Sequence, residues 1–198
     1  DQVEKARACF NKALELDVTD ATAHKCLGDI CFIIDAKPQD AEKHYRRSVE
    51  SNPEDYFAWH SLGCVFADSD RLDDALASFR KAVKRNPNHF DSWKGMGKIH
   101  TQASRFAEAV ECYRRCTQAQ PQEPEGWFGL GNALEKMGNY DGALAGFREA
   151  LKHDPKHYDC WLRIGDLHMV ASRPTEAIEC FRKCTALDPK GETGWEGL

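Results

Sequence analysis

Lys94 and Lys98 stand four residues apart, the interval that puts two side chains on one face of an α-helix. Asn132, Lys136 and Arg163 hold comparable phases further along, and Phe57, His60 and Phe128 add aromatic surface beside them. Ammonium and guanidinium groups attract a carboxylate, a carboxamide satisfies peptide backbone groups, and a phenyl ring offers an apolar floor. Together these types suit an extended peptide bearing an acidic or hydroxyl-carrying side chain. The competing reading is a solvated helix face whose charges pair locally with Glu125, Glu135, Asp159 and Asp166.

Catalytic chemistry is harder to assemble from this chain. Cys112/Cys116 and Cys180/Cys184 each sit four apart, so each pair could place two thiolates together. Zinc needs four ligands in a tetrahedron, and these pairs lie two full repeats apart and should not converge. Cys116 and Cys184 also share a phase with Ala13, Ala82 and Ala150, which reads as a small buried position. His100 and His168 share the phase of Phe66 and Leu134 and should pack between helices, while His89 and His157 follow turn prolines and read as solvent-facing connectors. No Gly-rich phosphate loop and no Asp or Ser at triad-like spacing accompanies them. The expectation is a non-enzyme with no catalytic residue, no metal site and no cofactor.

Bulk properties narrow the classes further. The 198 residues are 41% hydrophobic and 30% charged, enough to fold a core, and the net charge of -5 is spread with signs interspersed. That is not the basic footprint of a nucleic-acid binder. No apolar run approaches the roughly 18 residues that span a bilayer. The chain opens Asp1-Gln2-Val3-Glu4-Lys5, without the layout of a secretory signal. Nine cysteines, an odd number without even spacing, fit reduced thiols in a cytoplasmic or nuclear setting.

The elements that position these side chains follow from a repeat. Trp59, Trp93, Trp127, Trp161 and Trp195 are each 34 residues apart, as are Pro53, Pro87, Pro121, Pro155 and Pro189. Gly63, Gly97, Gly131 and Gly165 keep the same period, four residues after each tryptophan. Each unit reads as two helices. In residues 56–89 the first carries Trp59, Leu62, Gly63 and Phe66 on one face, and the second carries Leu72, Ala75, Leu76, Phe79, Ala82 and Val83. A polar turn over 68–71 separates them, and Pro87 ends the second helix. Gly63 and Ala75 remove bulk so that two helix axes can approach, with Trp59 and Phe79 as the complementary large fillers.

The pattern Trp-x2-Leu-Gly-x2-(large)…Ala-x3-Phe-x2-Ala…Pro resembles the tetratricopeptide repeat over nearly the whole chain. It is carried by Trp59, Leu62, Gly63, Phe66, Ala75, Phe79, Ala82 and Pro87, and recurs with Trp93–Pro121, Trp127–Pro155 and Trp161–Pro189. The resemblance implies an all-α fold, a right-handed superhelical α-solenoid of antiparallel helix pairs. Full repeats are expected at 21–55, 56–89, 90–123, 124–157 and 158–191, in one array. Residues 1–20 supply a lone second helix, and 192–198 the start of a first helix. The 21–55 unit departs from the pattern: His24 replaces the tryptophan, and one extra residue before Ala41 puts Pro38 in a lengthened turn.

Stacked helix pairs make a concave face, which in this family is lined mainly by first helices. The resemblance therefore implies a protein-interaction scaffold that holds an extended peptide through Phe57, His60, Lys94, Lys98, Phe128, Asn132, Lys136 and Arg163. Alternatives are a spacer in a multiprotein complex or a substrate-recognition arm of a larger enzyme. The Lys, Asn, Asn, Lys, Arg set that family members use for acidic chaperone tails is matched only at Lys94 and Arg163, so that ligand is disfavoured. The repeated inner asparagines of the O-linked N-acetylglucosamine transferase arm are missing, Asn132 standing nearly alone. Both ends stop mid-unit, which predicts head-to-tail self-association. Nucleic acid and membrane are not expected partners.

Overall fold

The computed structural model describes residues 2–188, and the expected Trp195 and the partial repeat over 192–198 lie outside them. The described residues form helices and turns without a strand. In order they are α1 (Gln2–Leu16), α2 (Ala21–Asp29), α3 (Pro38–Ser51), α4 (Tyr56–Asp68), α5 (Leu72–Arg85) and α6 (Phe90–Gln102). There follow α7 (Phe106–Ala119), α8 (Pro124–Lys136), α9 (Tyr140–His153), α10 (Tyr158–Val170) and α11 (Pro174–Leu187). The chain divides into two compact units, Asp1–Ile99 and His100–Leu198. In the first, α2 packs on α3 and α4 on α5. In the second, α8 packs on α9 and α10 on α11. This is the all-α architecture of helix pairs that the repeat implied.

The glycine and aromatic phases meet as expected. A Cβ on Gly63 would stand 2.6 Å from Phe79 Cε1, and the same clash with the facing ring recurs at Gly131 and Gly165. Backbone contact between the paired helices is thus possible only without a side chain there. Phe79, Phe147 and Phe181 are buried, and so are Ala41, Ala75, Ala109, Ala143 and Ala177, whereas Ala6 on α1 is only half-buried. Cys116 and Cys184 are fully buried, like Ala82 and Ala150 at their phase, while Ala13 on α1 departs from the expectation and is half-buried. His100 and His168 are buried as well.

The described tryptophans, Trp59, Trp93, Trp127 and Trp161, differ from the expectation of core fillers, because each is only half-buried. Their indole N–H groups explain why: Trp59, Trp93, Trp127 and Trp161 donate to the carbonyls of Pro53, Pro87, Pro121 and Pro155 at 2.9, 2.8, 2.7 and 3.0 Å. A ring that must reach a connector carbonyl cannot also sink between the helices. The indole thus ties each first helix to the main chain of the connector before it.

The turn within each hairpin is closed by a left-handed residue. Asp70, Ser104 and Ser172 have φ near +57°, and Gly138 holds the same place at +77°. The next amide in each case bonds back five positions, as Arg71 N to Phe66 O at 2.8 Å and Arg173 N to His168 O at 2.8 Å. This is the Schellman arrangement that satisfies orphaned helix-end carbonyls.

The first hairpin corrects another expectation. The extra residue does not lengthen the turn; it widens the end of α2 into a π-helical stretch, Ile30–Ile34, closed by Asp35 N to Ile30 O at 3.1 Å. Pro38 is the first residue of α3, where its missing amide costs nothing. The wide turn rotates Ile33 and Ile34 outward, and both are exposed.

Candidate binding surface

In the first unit Asp55 caps α4, its carboxylate accepting from the amides of Phe57 and Ala58 at 2.9 and 3.3 Å. That cap fixes the first turn and leaves Phe57 52% exposed. Phe57 stacks against Tyr56 with ring centres 4.2 Å apart. His89 meets Tyr56 and Phe57 edge-on at 5.1 and 5.6 Å. His60 completes the cluster, 4.8 Å from His89.

A continuous hydrogen-bonded chain runs beneath these rings. Cys64 Sγ lies 3.4 Å from His60 Nε2, and His60 Nδ1 lies 3.0 Å from Ser92 Oγ. Ser92 Oγ in turn lies 2.8 Å from His89 Nδ1. One proton arrangement satisfies the whole chain: the thiol donates to His60, His60 to the serine oxygen, and the serine hydroxyl to His89. Every member is then neutral. Burial depresses the His60 imidazole to about 4, with His89 adding to the effect. Burial pushes the Cys64 thiol up to about 11, aided by Asp91. A cysteine beside a histidine often signals a nucleophile, which needs a thiolate facing an imidazolium. Here both shifts run the opposite way, so the pair serves structure.

The cations of the first unit are not equivalent. Lys94 lies 3.1 Å from Asp91 and over the Phe90 ring at 5.0 Å. Lys98 is exposed and makes no ion pair among the described residues.

In the second unit Phe128 lies against Phe147 at 5.8 Å and His157 at 4.8 Å. Asn132 is half-buried and Lys136 exposed, the latter without an ion pair among the described residues. Arg163 lies 3.8 Å from Glu135, the local pairing that the solvated-face reading anticipated. Burial raises the Asp166 carboxyl above the usual range, with Arg163 opposing.

The first unit thus brings Phe57 and His60 together, and the second places Phe128 against its own ring partners. The tetratricopeptide repeat family model matches residues 35–89, 60–124 and 128–192. The chain belongs to the tetratricopeptide repeat family. Members of this family are protein-interaction scaffolds. Among solved structures, PilF of Pseudomonas aeruginosa is similar at 19% identity and TM-score 0.82, over 98% of this chain and 88% of that one. YrrB, described as a tetratricopeptide protein with an unusual peptide-binding site, is similar at 20% identity and TM-score 0.81, over 94% and 96%. MamA of Desulfovibrio magneticus follows at 18% identity and TM-score 0.78, over 87% and 97%. These identities establish the fold alone. No curated protein matches the sequence.

His89 and His157 correct the expectation of solvent-facing connectors. Both are half-buried and join the ring clusters of tetratricopeptide first helices α4 and α8. The available signal was their position two residues after the proline, three before the residue that faces the preceding repeat. No disulfide joins any cysteine among the described residues, and no group of three or more His, Cys, Asp or Glu there could hold a metal ion. No helix of the described residues is long and apolar enough to cross a membrane.

Proposed function

We propose that this tetratricopeptide protein is a non-catalytic scaffold whose first-helix faces hold an extended peptide segment of a partner. The proposed contacts are Phe57, His60, Lys94 and Lys98 in one unit, and Phe128, Asn132, Lys136 and Arg163 in the other. The repeats would run over 21–55, 56–89, 90–123, 124–157 and 158–191. The observation that carries the reading is Phe57: an exposed phenyl ring buttressed by Tyr56 and His89, on a capped first turn. Such a ring is already ordered, so an apolar partner side chain gains contact at little entropic cost. The exposed ammonium groups of Lys98 and Lys136 favour acidic side chains in the same segment. A peptide-binding site in YrrB, which shares the fold, adds support.

Charge reversal decides between this and a spacer role. Lys94→Glu, Lys98→Glu and Lys136→Glu together should abolish capture of an acidic partner segment, and Phe57→Ala should weaken capture about tenfold or more. Undiminished capture by both variants would overturn the reading.

A further inference from the structure

The first unit contains a small charge device beside its hairpin. Glu42 on α3 bridges two arginines, Arg46 at 2.8 Å and Arg71 at 2.9 Å. Both guanidinium groups also flank the phenyl ring of Phe66, at 5.3 and 4.4 Å from its centre. Burial alone would raise the Glu42 carboxyl, but the hydrogen bonds from Arg46 and Arg71 outweigh it and hold it below the usual range. Arg71 is further tied to Asp74 at 2.6 Å. The adjoining groove, between α3, α4 and α5, is about 230 Å³.

Three repeats further on, the same positions are occupied differently. Both arginines are kept, as Arg148 and Arg173, but the carboxylate is gone, because Leu144 stands where Glu42 would be. Phe66 is replaced by His168. Among the described residues neither Arg148 nor Arg173 makes an ion pair. The imidazole of His168 is only 5% exposed, and its Nδ1 is buried without a hydrogen-bond partner. A buried polar atom of this kind calls for a partner. The groove here, between α9, α10 and α11, opens to about 520 Å³, and Arg148, Lys152, Trp161, His168 and Arg173 all line it. Glu176 and Glu179 line it as well, so the cationic excess is modest. Lys152 is already paired with Glu149 at 2.6 Å.

We infer that this groove is a second binding site, taking a carboxylate side chain of a partner protein between Arg148 and Arg173, where the first unit uses its own Glu42. Two guanidinium groups supply the charge-assisted hydrogen bonds that Glu42 receives in the other unit. The His168 ring adds a donor that phenylalanine lacks, and the Trp161 indole gives the apolar wall for the aliphatic part of an aspartate or glutamate. None of the residues proposed for peptide contact on the first helices lines this groove. The two sites are therefore separable.

The test is a titration of the isotopically labelled full chain with the capped tripeptide acetyl-Ala-Glu-Ala-amide, followed through the His168 ring and Trp161 indole resonances. Its glutamine counterpart and inorganic phosphate are the comparison ligands. The glutamate peptide should shift both resonances and the glutamine peptide neither. Arg148→Gln and Arg173→Gln, both at exposed positions, should each weaken binding about tenfold. Leu144→Glu should abolish it by installing the internal carboxylate, and Lys136→Glu should leave it unchanged. The proposal fails if the glutamine peptide gives equal shifts, if phosphate binds and the glutamate peptide does not, or if both arginine variants bind normally. Loss of binding in Lys136→Glu would also overturn it, by moving the ligand to the first-helix surface.

Discussion

Replacing Gly63 by alanine sets two effects of opposite sign against each other. Alanine is favoured over glycine inside a helix by about 1 kcal/mol, so propensity alone makes Gly63→Ala stabilising. The structure says otherwise. The new methyl would lie 2.6, 2.7 and 3.1 Å from three carbons of the Phe79 ring, where carbon atoms prefer about 3.5–4.0 Å. The ring would have to retreat by about 1 Å, and its far side is closed by α6. A Cβ at Gly95 would itself stand 2.9 Å from Phe79 Cε2 and Cζ. Overpacking of a ring that cannot yield costs roughly 1–3 kcal/mol, and this one belongs at the top of that range. The net expectation is destabilisation of about 2 kcal/mol, after the propensity gain is subtracted. Repeat arrays need not unfold in one step. Urea unfolding by circular dichroism should therefore be paired with hydrogen exchange of the α4 amides. A second variant, Gly63→Ala with Phe79→Leu, removes the ring edge and should recover more than 1 kcal/mol of the sum of the single costs, roughly the coupling expected of residues in contact. A Gly63→Ala protein as stable as the parent, or more so, would refute the argument that ring contact fixes glycine at this phase.

Three further outcomes follow from the same structure. The Schellman turns hold serine in the left-handed region, so Ser104→Gly and Ser172→Gly should each stabilise by about 1 kcal/mol, read as a higher urea midpoint. The His60 imidazole, depressed to about 4 from its ordinary 6.5, binds a proton more readily when unfolded. Its contribution is therefore present above pH 6.5 and lost as pH falls toward 4, and His60→Gln should flatten that part of the stability profile. Cys64, pushed up to about 11, should alkylate far more slowly at pH 7.5 than exposed Cys9, with mass mapping of the modified peptide as the readout. Equal rates at the two thiols would contradict the neutral hydrogen-bonded chain.

The hairpins could be read from sequence because burial along a helix imposes a short period, and Gly63, Ala75 and Phe79 each report it within a few residues of one another. The links between repeats could not. Ser92 meets His60 across 32 positions, and Arg71 meets Glu42 across 29. No local spacing encodes such partners. His89 looked like a connector because it follows a proline, and only the proximity of α4 turns it into part of a ring cluster. The π-helical stretch was also hidden: an added residue shows as a shift of phase, but whether a turn or a helix end absorbs it depends on which carbonyls remain to be bonded. Lys98 and Arg163 look alike as isolated cations, yet among the described residues Lys98 makes no ion pair and Arg163 has Glu135 beside it.

The indole-to-proline bond has a bearing on how such a protein can be recombined. Trp59, Trp93, Trp127 and Trp161 each grip the carbonyl six residues upstream, ahead of their own first helix. A cassette cut at the start of a first helix would therefore sever a tryptophan from its anchor. One cut just upstream of the proline carries the whole latch with it. Shuffled or duplicated segments joined at that seam should keep the angle between connector and helix that the parent has, which makes it the natural splice point for engineering longer chains.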